Sequence, residues 1–106
     1  MERARESRNQ AGEFYGISFW CAGCSTAHYV PTKNGTQSDK GWDWNGSLER
    51  PTLSPSVLVH EAKEEEGLIH MPRCHSYVRD GRIEYLADCG HSLAGQTIDL
   101  ESMESY

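Results

Sequence analysis

The stretch "CHSYVRDGRIEYLADCGH", residues 74–91, decides the fold because it predicts one β-hairpin. Asp80-Gly81 is a favoured two-residue turn, since both central residues of a type I′ turn need positive φ and glycine adopts it without steric cost. The turn sets the register of the flanking strands. The expected cross-strand pairs are Arg79 with Arg82, Val78 with Ile83, Ser76 with Tyr85, and Cys74 with Ala87.

Alternation of side chains along these strands divides the polar residues of the hairpin between two faces. One face carries Cys74 and Cys89 as diagonal neighbours, at about 7 to 8 Å, a separation that one tetrahedral metal ion can bridge. The other face carries His75 and Asp88, and the carboxylate of such a pair can orient the imidazole. The hairpin therefore predicts a metal site on one face and an acid–base pair on the other.

A second sulfur-containing motif, Cys21-Ala22-Gly23-Cys24, follows the aromatic segment "FYGISFW", which predicts a strand. Structural zinc prefers four nitrogen or sulfur ligands. The predicted ligands are Cys21, Cys24, Cys74 and Cys89. His91 is the first alternative ligand and His28 the second, so that a site with three cysteines and one histidine stays open.

The pattern of cysteines favours zinc over a disulfide framework, because thiols stay reduced in the cytoplasm and Cys-x-x-Cys beside histidines is typical of metal sites. A closed site with four ligands would hold the fold, whereas a site with three ligands and a water would be catalytic. A redox role for Cys21 and Cys24 would require a lowered thiol pKa and is the least favoured interpretation.

Length and charge restrict the class of protein. The chain has 106 residues, which suits one domain with a small core. Its formal net charge of -6 argues against nucleic acid and anionic membranes as partners. No apolar run approaches the roughly 18 residues that a membrane span needs, and the N-terminus lacks the apolar region of a secretory signal. We therefore expect a cytoplasmic protein.

These patterns predict a mainly β fold: a small antiparallel β domain over residues 14–101, stapled by one zinc and containing little helix. Residues 1–13 mix arginine and glutamate with no apolar face and are predicted to form a flexible tail. Residues 102–106 are predicted to be a frayed C-terminus. Pro51 and Pro55 argue against regular central strand pairing around them.

The segment 42–59 contains hydroxyl side chains whose role the sequence leaves open. Thr52, Ser54 and Ser56 alternate along it and could line a groove or face water. Trp42 and Trp44 have strand spacing and are typical of residues that build a small β core. Asn45-Gly46 is a turn signal.

Three ordered segments carry a resemblance to a known family: "FWCAGCSTAH" (19–28), "WDWNGSLERPTLSPSVLV" (42–59) and "CHSYVRDGRIEYLADCGHSLAGQTIDL" (74–100). Together they resemble a family of small proteins of tailed phages and prophages, some of whose relatives sit beside bacterial ubiquitin-like conjugation genes. Phage members often bear the label ammonia monooxygenase, which does not suit a chain without a membrane span and with a sulfur-rich knuckle.

For relatives beside ubiquitin-like genes, the resemblance implies a peptidase that trims or removes a ubiquitin-like tail. The positions that match the family's motifs are Cys21, Cys24, His28, Trp44, Asn45, Gly46, Pro51, Thr52, Pro55, Ser56, Cys74, His75, Asp88, Cys89, His91, Ala94 and Gly95.

Two functional hypotheses follow. In the first, the chain is a zinc-binding protein of phage or prophage type and a metal-dependent peptidase acting on a ubiquitin-like or other protein tail, with His75, Asp88 and His91 as catalytic residues. Ser76 is a weaker nucleophile candidate, because the register places it on the cysteine face. In the second, the chain is a non-enzymatic, zinc-stabilised module that binds a protein partner through Trp42, Trp44 and Pro51.

Overall fold

The computed structural model describes residues 2–33, 35, 41–60, 62–63 and 70–103, and side chains throughout these ranges except at 62–63 and 70–71. These residues form eleven strands and no helix. The strands are β1 (Ala4–Arg8), β2 (Phe14–Cys21), β3 (Thr26–Pro31), β4 (Asp43–Trp44), β5 (Leu53–Ser54), β6 (Val57–Val59), β7 (Ala62–Lys63), β8 (His70–Met71), β9 (Cys74–Arg79), β10 (Arg82–Tyr85) and β11 (Thr97–Asp99). Within this described part, no helix is long and apolar enough to cross a membrane.

The strands form two main sheets and two short pairs. The first sheet has the order β1-β2-β3, and the second has the order β11-β10-β9-β6. The pairs are β4 with β5 and β7 with β8. All these strand pairings are antiparallel, which confirms the predicted mainly antiparallel β fold.

The hairpin of β9 and β10 has the register that its turn predicts. Asp80 and Gly81 have φ values of 51° and 76°. The observed pairs include Arg79 with Arg82, Val78 with Ile83 and Ser76 with Tyr85. The strand pairing does not continue to Cys74 and Ala87, because β10 ends at Tyr85 and the chain turns, with the Cys89 amide donating to the Leu86 carbonyl at 3.1 Å.

Side chains from both sheets form one buried cluster. Ile17, Phe19 and Cys21 lie on one face of β2, and Val78 and Ile83 occupy the inner face of the hairpin. Such alternation is what a sheet with one buried face requires. The cluster therefore leaves the opposite face of the hairpin free to carry polar residues.

The N-terminal segment differs from the flexible tail predicted for residues 1–13. Strand β1 pairs with β2 and places Ala4, which is 0% exposed, opposite Phe19. The amides of Arg3 and Ala4 also donate to the Leu48 carbonyl, at 2.8 and 3.1 Å. Backbone hydrogen bonds and a single small buried side chain hold this strand, so its sequence shows no apolar periodicity.

The C-terminal segment also differs in part from the expected frayed end at 102–106. Met103 is 3% exposed, and its amide donates to the Glu2 carbonyl at 2.8 Å. Residues 104–106 lie outside the described residues.

The buried position of Ala4 gives a test of the N-terminal strand. Ala4→Asp should lower the free energy of unfolding by about 3 kcal/mol, because it places a carboxylate in the apolar cluster without a partner. Arg5→Asp is the matched control, since Arg5 is exposed. Urea unfolding followed by circular dichroism measures both. Equal stability of the two variants would contradict the strand assignment.

Candidate functional site

Three side chains on the outer face of the second sheet form a hydrogen-bonded chain. Ser56 Oγ lies 3.0 Å from His75 Nε2, and His75 Nδ1 lies 3.2 Å from Asp88 Oδ2. The partners assign the protonation of the ring: Nδ1–H donates to the carboxylate, and Nε2 accepts from the serine hydroxyl. This is the connectivity of a Ser-His-Asp triad.

The pairing of β6 with β9 brings the serine to the histidine. Leu58 lies directly opposite His75, so their side chains share a face. Ser56 precedes β6, two residues before Leu58, and its side chain therefore projects to the same outer face. Asp88 reaches this face from the turn that follows β10.

The backbone at Ser56 is held from the first sheet. Trp42 Nε1 donates to the Ser56 carbonyl at 3.2 Å. The Trp42 amide donates in turn to the Pro31 carbonyl, at the end of β3, at 2.9 Å. The indole thus fixes the segment that carries the serine, and fixed geometry is what an activated nucleophile requires.

Asp88 also forms an ion pair with Arg73. Arg73 Nε donates to Asp88 Oδ2 at 3.0 Å, the same oxygen that His75 contacts. This bond is the main reason why the pKa of Asp88 lies below its ordinary value, and the hydrogen bond with His75 lowers it further. Asp88 is therefore ionised at neutral pH and can stabilise a positively charged imidazole.

A second group of polar side chains lies on the inner side of β9. Donor atoms of Cys21, Cys24, Cys74 and His91 all lie within 4.8 Å of one another. Cys21 and Cys74 are buried, and their sulfur atoms are 3.8 Å apart. The group offers three sulfurs and one imidazole, which suits a tetrahedral metal ion.

The acid–base properties of the thiols fit a bound cation. The hydrogen bond with Cys74 is the main cause that lowers the pKa of Cys21 to about 3, and the same bond raises the pKa of Cys74. Burial raises the pKa of Cys24 to about 11. The Cys21 thiolate thus forms readily, whereas its negative charge opposes ionisation of the Cys24 and Cys74 thiols. A divalent cation at the centre would remove that opposition.

His91 is positioned by close packing. A Cβ atom at Gly23 would overlap the imidazole ring of His91, so only glycine allows this approach. The ring also meets Tyr85 edge to face, with centroids 4.6 Å apart. His91 Nε2 is buried and has no hydrogen-bond partner among the described residues, while the Leu93 amide donates to Nδ1 at 3.2 Å. Binding of a metal ion by Nε2 would require the ring proton on Nδ1 and release of the Leu93 bond.

Comparison with known proteins assigns the chain to one family. Residues 2–86 match the model of the family described as "Bacterial ubiquitination-like system serine protease (BubE)". The chain belongs to this family. No curated protein and no solved structure matched it. The match supports the expected link to bacterial ubiquitin-like systems, whereas nothing in it supports the phage assignment or the ammonia monooxygenase label.

A serine protease needs a nucleophilic serine, and the sequence alone did not distinguish among the candidate hydroxyls. Ser56 was only one of three hydroxyls that could line a groove, and the structure alone connects it to His75. Ser54 is exposed, and Thr52 Oγ1 accepts from the Asp80 amide at 2.8 Å. Ser76 is fully buried on the cysteine face, as the register predicted.

The structure groups the predicted site residues differently from the sequence. Cys89 lies outside the group of metal donors. His91 occupies the fourth donor position, which the four-cysteine prediction assigned to Cys89. Among the described residues no hydrogen bond joins His91 to His75 or Asp88, with which it was predicted to act. His28 is buried against Phe19 and also lies outside the donor group.

Cys89 instead contacts the backbone of His75. Its sulfur accepts from the His75 amide at 3.3 Å and donates to the His75 carbonyl at 3.1 Å. The thiol thus replaces the acceptor that a continuing β10 would offer to the His75 amide, while the Leu86 amide still donates to the His75 carbonyl at 2.9 Å. It fixes the backbone of the triad histidine.

The tryptophans proposed for partner binding pack against the core. Trp42 and Trp44 are partly buried against the central cluster, and Pro51 is fully buried. Trp44 also stacks on Phe14 and donates to the Ser47 carbonyl at 3.0 Å. Pro51 is therefore not available at the surface, whereas each tryptophan keeps part of its side chain exposed.

Substitutions at Cys74 and Cys89 should affect metal content differently, because only Cys74 belongs to the donor group. Cys74→Ser should abolish stoichiometric metal binding, because it removes one of the four donors, whereas Cys89→Ser should keep it. Elemental analysis of the purified variants measures the difference. Loss of metal from Cys89→Ser, with retention in His91→Ala, would contradict the donor set and restore the four-cysteine site.

Proposed function

We propose that this chain is a serine peptidase that cleaves after the tail of a ubiquitin-like protein in a bacterial ubiquitination-like system. The observation that carries the proposal is the continuous hydrogen-bonded chain from Ser56 through His75 to Asp88. Membership of the BubE family supports the reaction class and the biological system. The metal-dependent mechanism expected from the sequence is thereby replaced by nucleophilic catalysis.

Each triad residue has one role in acyl transfer. Ser56 Oγ attacks the scissile carbonyl while His75 Nε2 takes its proton. His75 then gives that proton to the leaving amine, and the acyl group stays on Ser56 until an activated water releases it. Asp88 keeps the imidazole in the correct tautomer and stabilises its charged form.

The openness of the site supports a macromolecular substrate. The side chains of His75 and Asp88 are 25% and 43% exposed, and the described residues enclose no pocket. Sites for small molecules are usually concave and bury most of the ligand. An extended segment of a protein can instead lie across an open sheet face and leave the rest of its fold outside.

The donor chemistry supports zinc as the ion held by Cys21, Cys24, Cys74 and His91. Three thiolates and one imidazole form a closed site, and a closed zinc site stabilises the fold without taking part in the reaction. Cys74 immediately precedes His75, and His91 follows Asp88 by three residues. Holding both ligands together would fix the two chain segments that carry the base and the carboxylate.

Removal of the serine hydroxyl is the first test of this function. Ser56→Ala should reduce hydrolysis by about 10³-fold or more, because no nucleophile remains. The substrate is the ubiquitin-like protein of the same gene cluster with a C-terminal extension, and mass spectrometry follows the released fragment. Ser54→Ala is the control, since that hydroxyl lies two residues away. Undiminished cleavage by Ser56→Ala would refute the proposal.

Replacement of the Asp88 carboxylate tests its role in orienting His75. Asp88→Asn should lower kcat by about 10²- to 10⁴-fold, because the amide favours the wrong imidazole tautomer. Asp99→Asn is the matched control, since Asp99 is exposed and contacts Arg82. Metal content should be the same in both variants. An unchanged kcat in Asp88→Asn would show that the Asp88 carboxylate takes no part in the mechanism.

A further inference from the structure

The serine lies at the end of a strand that has an open side. In the second sheet, β6 is the edge strand, and of the strands in the described part of the chain only β9 pairs with it. Ser56 immediately precedes this strand. An edge strand offers backbone groups to any extended segment that approaches it.

The direction of the backbone groups in β6 follows from the contacts of His75. The His75 amide donates to Cys89 Sγ, and its carbonyl accepts from the Leu86 amide at 2.9 Å, so both groups face away from β6. Neighbouring residues of a strand face opposite sides, and Cys74 and Ser76 therefore bond to β6. Their opposite residues are Val59 and Val57.

Leu58 lies between those two valines and must face the other way. Its amide and carbonyl therefore point to the open side of β6. The same alternation directs the Ser56 carbonyl to the open side, where Trp42 Nε1 bonds to it. That observed bond supports the assignment independently. Leu58 is thus the first residue after Ser56 whose backbone groups face the open side without a partner strand among the described residues.

We infer that the acyl side of the substrate binds as an additional antiparallel strand along β6, bonded to the backbone of Leu58. This inference rests on the proposed function and specifies how that site takes its substrate. An antiparallel strand that runs along β6 has its C-terminal end beside Ser56. The residues before the scissile bond then lie on β6, and the leaving group extends beyond the sheet. Such an arrangement suits cleavage after an extended C-terminal tail.

The alternation also sets the register of the bound segment. Because Trp42 Nε1 already occupies the Ser56 carbonyl, the residue with the scissile carbonyl lies beside Ser56 without pairing with its backbone. The third residue on the acyl side then lies opposite Leu58. That third residue exchanges two backbone hydrogen bonds with Leu58. The second residue directs its amide away from β6. At least three residues of the substrate must therefore be extended and free of their own folded domain.

Peptides with single N-methyl groups test this register. The probe is an aminocoumarin amide of the last four tail residues of the ubiquitin-like protein from the same gene cluster. N-methylation at the third residue should lower kcat/KM by about tenfold, because one backbone bond is lost. N-methylation at the second residue is the matched control and should change it by less than about twofold. Equal effects at both positions, or a larger effect at the second, would overturn the inference.

A substitution in β6 gives a second measurement. Leu58→Pro removes the amide that faces the open side, a change that an edge strand tolerates. It should raise KM for the same peptide clearly more than Leu58→Ala, which keeps the amide. Circular dichroism and metal content report whether the variants fold, and the N-methyl comparison uses the wild type and remains decisive if they do not. A larger KM for Leu58→Ala than for Leu58→Pro would count against backbone pairing.

Failure of the inference is distinguishable from failure of the proposed function. If hydrolysis depends on Ser56 but is indifferent to N-methylation at the third residue, pairing along β6 is refuted while the peptidase stands. If no hydrolysis of either the peptide or the whole ubiquitin-like protein depends on Ser56, both are refuted.

Discussion

The pairing of β6 with β9 is the constraint on which the candidate site depends. It places Leu58 opposite His75 and so brings Ser56 within 3.0 Å of the imidazole, across a separation of 19 residues in sequence. Nothing in the local sequence around either residue would bring them together. Strand pairing supplies the geometry, and the indole of Trp42 holds the serine segment from the other side. Ser56 is therefore positioned by strand pairing on one side and by the Trp42 indole on the other.

Strand β9 connects two kinds of chemistry through simple alternation. Cys74 points inward to the donor group, and the next residue, His75, points outward to the serine. The turn after β10 holds the same histidine at two points, since Asp88 contacts the imidazole while Cys89 contacts the His75 backbone. A small core limits the stability of a chain of this length, and metal binding can contribute folding free energy directly. The same ligands would also fix the triad, because they adjoin its members.

The sequence predicted those features that arise from short-range structure. The Asp80-Gly81 turn fixed the hairpin register, and the register correctly placed His75 and Asp88 on a common face, where they form a hydrogen bond. The hairpin register could not decide whether Cys89 or His91 is the fourth metal donor. Regular alternation assumes a continuing strand, whereas β10 ends at Tyr85 and the turn that follows directs the Cys89 thiol to the backbone instead. The buried strand β1 was missed because backbone bonds and one alanine hold it.

Ser56 shows the limit of sequence reasoning most clearly. Three hydroxyls alternate at 52, 54 and 56, and only a non-local strand pairing distinguishes them. The most direct test is covalent labelling of the folded wild-type protein with a fluorophosphonate, followed by peptide mapping. Such reagents modify a serine only where a neighbouring base activates it. The triad predicts one label per chain, on Ser56. Labelling of a different serine, or an unmodified Ser56 in folded and metal-replete protein, would contradict the account.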